Sequence, residues 1–290
     1  MKKNSYLASI VLGAFFLSHT AWAEVNFKIQ QLSNNLHVLY GQGGNIAIST
    51  GKDGIYIVDD QFAKLSDDIK KQINELQPGA PEFVINTHHH GDHTGGNENF
   101  AQAGSHVIAH NNVYNRLKTK HGDDSKYLPV ISFSKDLTLH FNGEQAHLWH
   151  FAHAHTDGDA VIFYKTANVV HMGDIFFNLD SLPFVDVDSG GSLDGVIYAV
   201  RATLERIDND TKVIPGHGPV TNKQGLAQYK RLLENAKLLM QTSIQAHKTL
   251  EEVLENKPLE PLKLNYSGWL PQSRVTELFY RSLQEQAHKH

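Results

Sequence analysis

One segment restricts what this chain can fold into more than any other: Thr87-His88-His89-His90-Gly91-Asp92-His93-Thr94-Gly95-Gly96-Asn97. His88, His90 and Asp92 alternate along it, and His93 adjoins them. The run follows Phe83-Val84-Ile85-Asn86, an apolar stretch that reads as a short buried strand. Crowding so many coordinating side chains at one strand end has no inexpensive structural explanation, because burying them unpaired is costly. Imidazoles and a carboxylate are the donors Zn²⁺ takes where thiolates are absent, and the chain has no cysteine. So many donors in one place predict a site for more than one metal. A metal-dependent hydrolase is the first functional expectation.

The flanking sequence predicts how that strand is framed. Leu36–Tyr40 reads as a strand, and Asn45–Thr50 and Ile55–Asp59 as a hairpin pair across the turn Gly51-Lys52-Asp53-Gly54. Leu65, Ile69, Ile73 and Leu76 recur at helical spacing, and Pro78-Gly79 stops the helix. A strand–helix–strand unit therefore ends at the histidine run, and ligand sites sit beyond the carboxyl ends of strands in such units. The second half is similar. Strands are expected over Leu137–Phe141, Ala146–His150, Ala160–Tyr164, Asn168–His171 and Lys212–Ile214. A helix is expected from Ser192, as N-cap, to Ile207, one or two helices from Gly225 to Asn256, and a last one over Val275–Gln286. The two halves each end strands in His- and Asp-bearing loops, which suggests two layers meeting at one cleft.

The amino terminus carries an address. Lys2 and Lys3 precede the apolar run Tyr6–Leu17, and Ala21-Trp22-Ala23 is a small-x-small cleavage signal. Residues 1–23 therefore read as a secretory signal peptide, with a periplasmic or secreted product and no stable membrane anchor after cleavage. Its removal takes away two lysines and no acid, so the net charge moves from −5 to −7. That balance, with no clustered Lys/Arg stripe, excludes an electrostatic footprint for nucleic acid. A small-molecule substrate is the expected partner. An exported chain without disulfides must draw its stability from its core and its metals.

Three further loops carry ligand-type residues after strand-like runs: His153-Ala154-His155-Thr156-Asp157, Gly173-Asp174 and Gly216-His217-Gly218. Taken singly, each is compatible with a structural histidine or a turn-capping aspartate. Together with His88-x-His90-x-Asp92-His93 they resemble the five-part signature of the metallo-β-lactamase superfamily, over about Leu32 to Pro219. The resemblance implies an α/β fold, a four-layer αβ/βα sandwich of two mixed sheets flanked by helices. It implies one metal on His88, His90 and His155, a second on Asp92, His93 and His217, and Asp174 bridging them. Two zinc ions are the implied cofactors, with manganese or iron as alternatives, and their bridging water would be the nucleophile. Asp92 would also orient that water and pass a proton. Asp59 and His153 are expected to support the ligands by hydrogen bonding, and His89 to turn away from them. Phe176, Phe177 and Phe184, in the apolar loop after Asp174, are expected to line the substrate cleft, although a core role is equally open.

Asp174 bears on the subgroup. In two classes of true β-lactamase the corresponding motif carries a cysteine and then a lysine, and this chain has neither there. A bridging aspartate is instead similar to glyoxalase-II-like and lactonase-like members, so β-lactam hydrolysis is expected to be secondary. The substrate would be an ester, lactone, amide or related compound, and a non-catalytic metal-binding role is the competing class. The expected organisation is a hydrolase domain over 24–222 and a helical extension over 223–290 packed on it.

Overall fold

The computed structural model describes residues 25–123 and 125–287. The expected signal peptide lies outside them. A seven-stranded sheet has the order β1 (Lys28–Gln31), β2 (Leu36–Tyr40), β3 (Ile46–Gly51), β4 (Gly54–Val58), β5 (Phe83–Ile85), β6 (His106–His110), β7 (Ile131–Phe133). It is antiparallel up to β4 and parallel from β4 to β7. A second sheet contains β8 (Asp136–Phe141), β9 (Glu144–Phe151), β10 (Asp159–Tyr164), β11 (Val169–His171), β12 (Lys212–Ile214) and β13 (Thr221–Asn222), adjacent in that order. Its pairs are antiparallel except β11 with β12.

The layering follows from strands that are apolar on both faces. Along β3 and β4, Ala47, Tyr56 and Val58 point between the sheets, while Ile46, Ile48, Ile55 and Ile57 point outward. The outer face is covered by α1 (Ser66–Leu76) through Ile69 and Ile73, with Phe100 of α3 (Asn97–Gln102); the single turn α2 (Gly91–Thr94) precedes α3. In the second sheet, Ala160, Ile162, Val169 and Ile214 face inward, and Val161, Val170 and Val213 face outward. After α4 (Asn111–His121), the helices α5 (Leu193–Arg206), α6 (Lys223–Gln245), α7 (Leu250–Asn256) and α8 (Gln272–Ala287) follow. Val196 and Val200 of α5, Leu233 and Met240 of α6 and Leu278 and Phe279 of α8 share one cluster with the outward valines. The result is the expected four-layer α/β sandwich of two mixed sheets flanked by helices. No helix among the described residues is long and apolar enough to cross a membrane.

Ser192 caps α5 as expected, its Oγ accepting from Gly195 N at 3.0 Å. The sequence reading missed α4. Its N-cap is His110, whose Nδ1 accepts from Asn112 N, outside the usual Ser, Thr, Asp and Asn set. Only Val113 and Leu117 of that helix are buried, too few for a periodic signal. β4, β5, β9, β11 and β12 all end at one edge of the sandwich, where Ala160 N donates to Thr87 O (2.8 Å) and Asn45 N to Gly216 O (2.7 Å). These bonds clamp the two sheets together where the His- and Asp-bearing loops leave them.

Candidate metal centre

The structure brings His88, His90, Asp92, His93, His155, Asp174 and His217 together at that edge. Two groups form, His88/His90/His155/Asp174 and Asp92/His93/Asp174/His217, and within each the donor atoms lie within 4.8 Å of one another. Asp174 belongs to both. Its Oδ2 is 3.8 Å from His88 Nε2, 3.7 Å from His155 Nε2 and 3.4 Å from His217 Nε2, and its Oδ1 is 3.1 Å from His93 Nε2. Asp92 Oδ2 lies 3.2 Å from His217 Nε2 and 3.5 Å from His93 Nε2.

The local sequence accounts for this convergence. His90 has extended backbone, and the turn of α2 closes on its carbonyl through Thr94 N at 3.0 Å, so Asp92 and His93 enter from a helical turn just beyond. Glycine permits two close approaches. A Cβ on Gly44 would stand 2.1 Å from the His93 ring, and one on Gly216 would stand 2.0 Å from Asp174 Oδ1. Asn45 Nδ2 donates to the carbonyls of Pro215 and Gly218 at 2.8 Å each, pinning the loop that carries His217. His171 lies buried at the end of β11, its Nε2 3.0 Å from Asn45 O, and its Nδ1 accepts from Gly173 N.

Hydrogen bonds on the outer ring nitrogens set which nitrogen faces inward. Asp59 accepts from Thr87 N and from Thr87 Oγ1, both at 2.8 Å. Thr87 has spent its only hydroxyl proton there, so its Oγ1 accepts from His88 Nδ1–H at 3.0 Å. Asp59 Oδ2 also accepts from His93 Nδ1–H at 2.7 Å. His155 Nδ1–H donates to Phe184 O (2.7 Å), and His90 Nε2–H donates to Asp186 Oδ2 (2.9 Å). Lone pairs are thereby left on His88 Nε2, His90 Nδ1 and His155 Nε2, and His93 Nε2 is likewise the nitrogen turned inward, all directed at Asp174 or at one another. His90 Nδ1 and His155 Nε2 face each other at 3.0 Å, a repulsive arrangement that a cation resolves. His88 Nε2, His93 Nε2 and Asp174 Oδ1 are buried with no hydrogen-bonding partner. These inward orphans fit a metal, and outer hydrogen bonds of this kind orient metal-ligating imidazoles.

Electrostatics divide the two groups. Burial holds His88 well below the usual imidazole range, and burial with the neighbouring His90 lowers His155 to about 4. Burial acts the same way on His93 and His217, but the Asp174 charge outweighs it; His93 stands well above its ordinary value and His217 at about 9. Asp174 is correspondingly held well below the carboxylate range, where burial is overcome by His93 and His217. His88 and His155 thus hold a proton less tightly than an ordinary imidazole, and His93 and His217 more tightly.

The remaining expected residues fall differently. Asp59 is fully buried with φ 64° and supports both His93 and Thr87. His153, expected to support the candidate ligands by hydrogen bonding, does not: its backbone turns through φ 54°, and the exposed ring pairs with Gly190 O at 2.9 Å. Phe176 is a correction too. It is 1% exposed and packs in the core on Tyr229, 4.8 Å between ring centroids, so it does not line a cleft. Phe177, 3% exposed, stacks on His217 at 5.2 Å and 18° and holds that ring instead. Phe184 is half-buried, its ring 5.9 Å from both His90 and His155. Sequence reasoning missed Asp186 and Asn45. Their partners lie 96 and 170 residues away, and neither sits in a metal-type spacing.

The model of the metallo-beta-lactamase superfamily matches residues 43–217, and the chain belongs to that superfamily. It is 31% identical over 147 residues to a hydroxyacylglutathione hydrolase of Polaromonas sp. (48% of this chain, 49% of that protein). It is 29% identical over 139 residues to a probable hydroxyacylglutathione hydrolase of Schizosaccharomyces pombe (47% and 48%). The chain spans about half the length of these curated relatives. A metallo-beta-lactamase from Pontibacter korlensis superposes with a TM-score of 0.63 at 19% identity, covering 72% of this chain and 100% of that one. A stereoselective inverting sec-alkylsulfatase from Pseudomonas sp. does so with 0.69 at 14%, covering 88% and 50%. Both are likenesses of fold.

Proposed function

We propose that this chain is an exported, metal-dependent hydrolase that holds two zinc ions and cleaves an ester, thioester, lactone or amide bond in a small-molecule substrate. The observation that carries this reading is the pair of donor groups sharing Asp174, with their lone pairs turned inward. Five imidazoles and two carboxylates without a thiolate suit zinc, with manganese and iron as alternatives. Bound there, two divalent cations would supply Lewis-acid polarisation and an activated water near neutral pH. His88, His90 and His155 would hold one, Asp92, His93 and His217 the other, and Asp174 both.

The protein's own groups supply the rest. Asp59 and Asp186 fix the rings of His93 and His90, so the donors need no reorganisation when substrate arrives. The side chains of His90, Asp92 and His217 remain 22, 26 and 23% exposed, which leaves a path for substrate and water that a closed storage site would lack. Asp92 is the solvent-facing carboxylate, suited to accept a proton from the attacking water and return it to the leaving group. The curated relatives are named as hydrolases of an acylated glutathione, which supports acyl hydrolysis. The expected leader peptide and the acidic balance support a periplasmic or secreted enzyme without a nucleic-acid partner.

The test is a chelator-controlled panel on the purified mature protein: nitrocefin, lactones, S-lactoylglutathione and bis-p-nitrophenyl phosphate. Hydrolysis of an acyl substrate should vanish with chelator, return with zinc, and fall at least about 100-fold in Asp92→Ala. Full metal loading with no turnover of any of these compounds would favour a non-catalytic metal-binding protein.

A further inference from the structure

Trp269 lies between α7 and α8, beyond the residues that carry the family match, and is 67% exposed. Its ring centroid stands 6.2 Å from that of Phe184. The Phe184 ring stands 5.9 Å from each of His90 and His155. An unbroken series of rings therefore runs from the surface to the inward-facing imidazoles. On the other flank Leu179, 49% exposed, lies against Gly218, the residue after His217. The two flanks are tied together, since Asn265 N, four residues before Trp269, donates to Asp180 O at 2.7 Å. Asp186, a carboxylate on the Phe184 side, is already engaged by His90 Nε2 and by Ser189 N. Exposed apolar side chains grouped beside a polar reaction centre mark a place where an apolar ligand group is covered.

We propose that Trp269 and Phe184 seat an uncharged, apolar acyl group of the substrate, with Trp269 as a specificity-determining residue contributed by the carboxy-terminal segment. An alkyl chain or aryl ring next to the scissile carbonyl would cover the indole face while the carbonyl lies at the metal centre. This assignment rests on the hydrolase reading above. It deepens that reading by naming the substrate class: esters, thioesters or lactones with an apolar acyl side.

The experiment compares p-nitrophenyl octanoate with p-nitrophenyl acetate, which share a leaving group, on the metal-loaded protein. Wild type should prefer the octanoate in kcat/KM, and Trp269→Ala should lower the octanoate-to-acetate ratio by about tenfold, the order expected for lost apolar contacts in a pocket. Trp269→Phe should keep most of the preference. Metal content measured on the same samples separates this effect from misfolding. In parallel, calorimetry with octanoate and acetate, as unreactive acids, should show tighter octanoate binding that Trp269→Ala abolishes. An unchanged ester ratio in metal-loaded Trp269→Ala overturns the assignment while leaving the hydrolase reading intact. If neither ester turns over, the octanoate titration alone decides Trp269: binding independent of that residue overturns the assignment, while the hydrolase reading falls only if the substrate panel above is inert as well.

Discussion

Asp59 and His93 are bonded at 2.7 Å, Oδ2 to Nδ1, both fully buried. Asp59 holds a left-handed backbone at φ 64°, a conformation costing of order 1–3 kcal/mol for a residue other than glycine. In return its carboxylate accepts three donors at once, and this fixes the inward nitrogen of His93 directly and of His88 through Thr87. Asp59→Asn turns an N–H₂ group toward one of those donors. The expected result is a 10- to 100-fold loss of metal affinity, of the order seen for partners that orient metal-bound histidines. Titration of the variant with zinc against a competing chelator checks it. Unaltered affinity would mean that Asp59 does not set the His93 tautomer.

Asp186 plays the corresponding role for His90. Asp186→Ala should weaken the His88/His90/His155 group selectively, again by about tenfold or more. Spectroscopy of the cobalt-substituted variant should show one ligand environment altered and the other retained.

Gly216 lies where the loop carrying His217 passes Asp174, and a Cβ there would meet Asp174 Oδ1 at 2.0 Å and the Gly173 backbone at 2.7 Å. Gly216→Ala should cost about 1–3 kcal/mol of stability through overpacking and reduce metal loading. Thermal unfolding with and without chelator separates the two effects. An alanine variant that matches wild type in both would show that this approach is not tight.

His217 gives a pH signature in the metal-free protein. Its folded pKa is raised to about 9 from an ordinary 6.5, so the folded state binds the proton more tightly than the unfolded one. The stabilisation is fully present below about pH 6.5 and is lost as pH rises through about 9. The chelated protein should therefore lose unfolding midpoint between pH 7 and 9.5, and His217→Ala should flatten that loss. In a metal-loaded protein a cation would take the proton's place. Zinc loading at pH 7.5 should accordingly release protons, visible as a dependence of binding heat on the buffer. A pH-independent chelated midpoint would contradict the placement of His217 between Asp92 and Asp174.

Much of this candidate centre is legible in the chain because its metal-type side chains sit at short spacings directly after apolar strands. The run His88 to His93 needs only one strand end and one helical turn, and the Asp174 and His217 motifs each follow a three-residue strand. Two-faced apolar strands such as Ile55-Tyr56-Ile57-Val58 likewise announce a layered sandwich. What escaped was decided by distant contacts. Asp186 reaches His90 from 96 residues away, and Asn45 pins a loop on the opposite sheet. Phe176 follows Asp174 in an apolar loop, yet the 3₁₀ turn at Gly173–Ile175 directs it into the core. His153 lies two residues from His155, a spacing that shares a face only in extended backbone, and its positive φ of 54° turns it away. α4 is capped by a histidine and buries few of its residues, so neither its start nor its face was marked.

The central claim is a two-metal centre joined through Asp174. The most direct measurement is metal content by plasma mass spectrometry on the purified protein after zinc saturation and desalting, with Asp174→Ala alongside. Two zinc ions per wild-type chain, with both weakened together in Asp174→Ala, is the result this account predicts. A single ion per wild-type chain at saturation, or two ions held undiminished by Asp174→Ala, would contradict it.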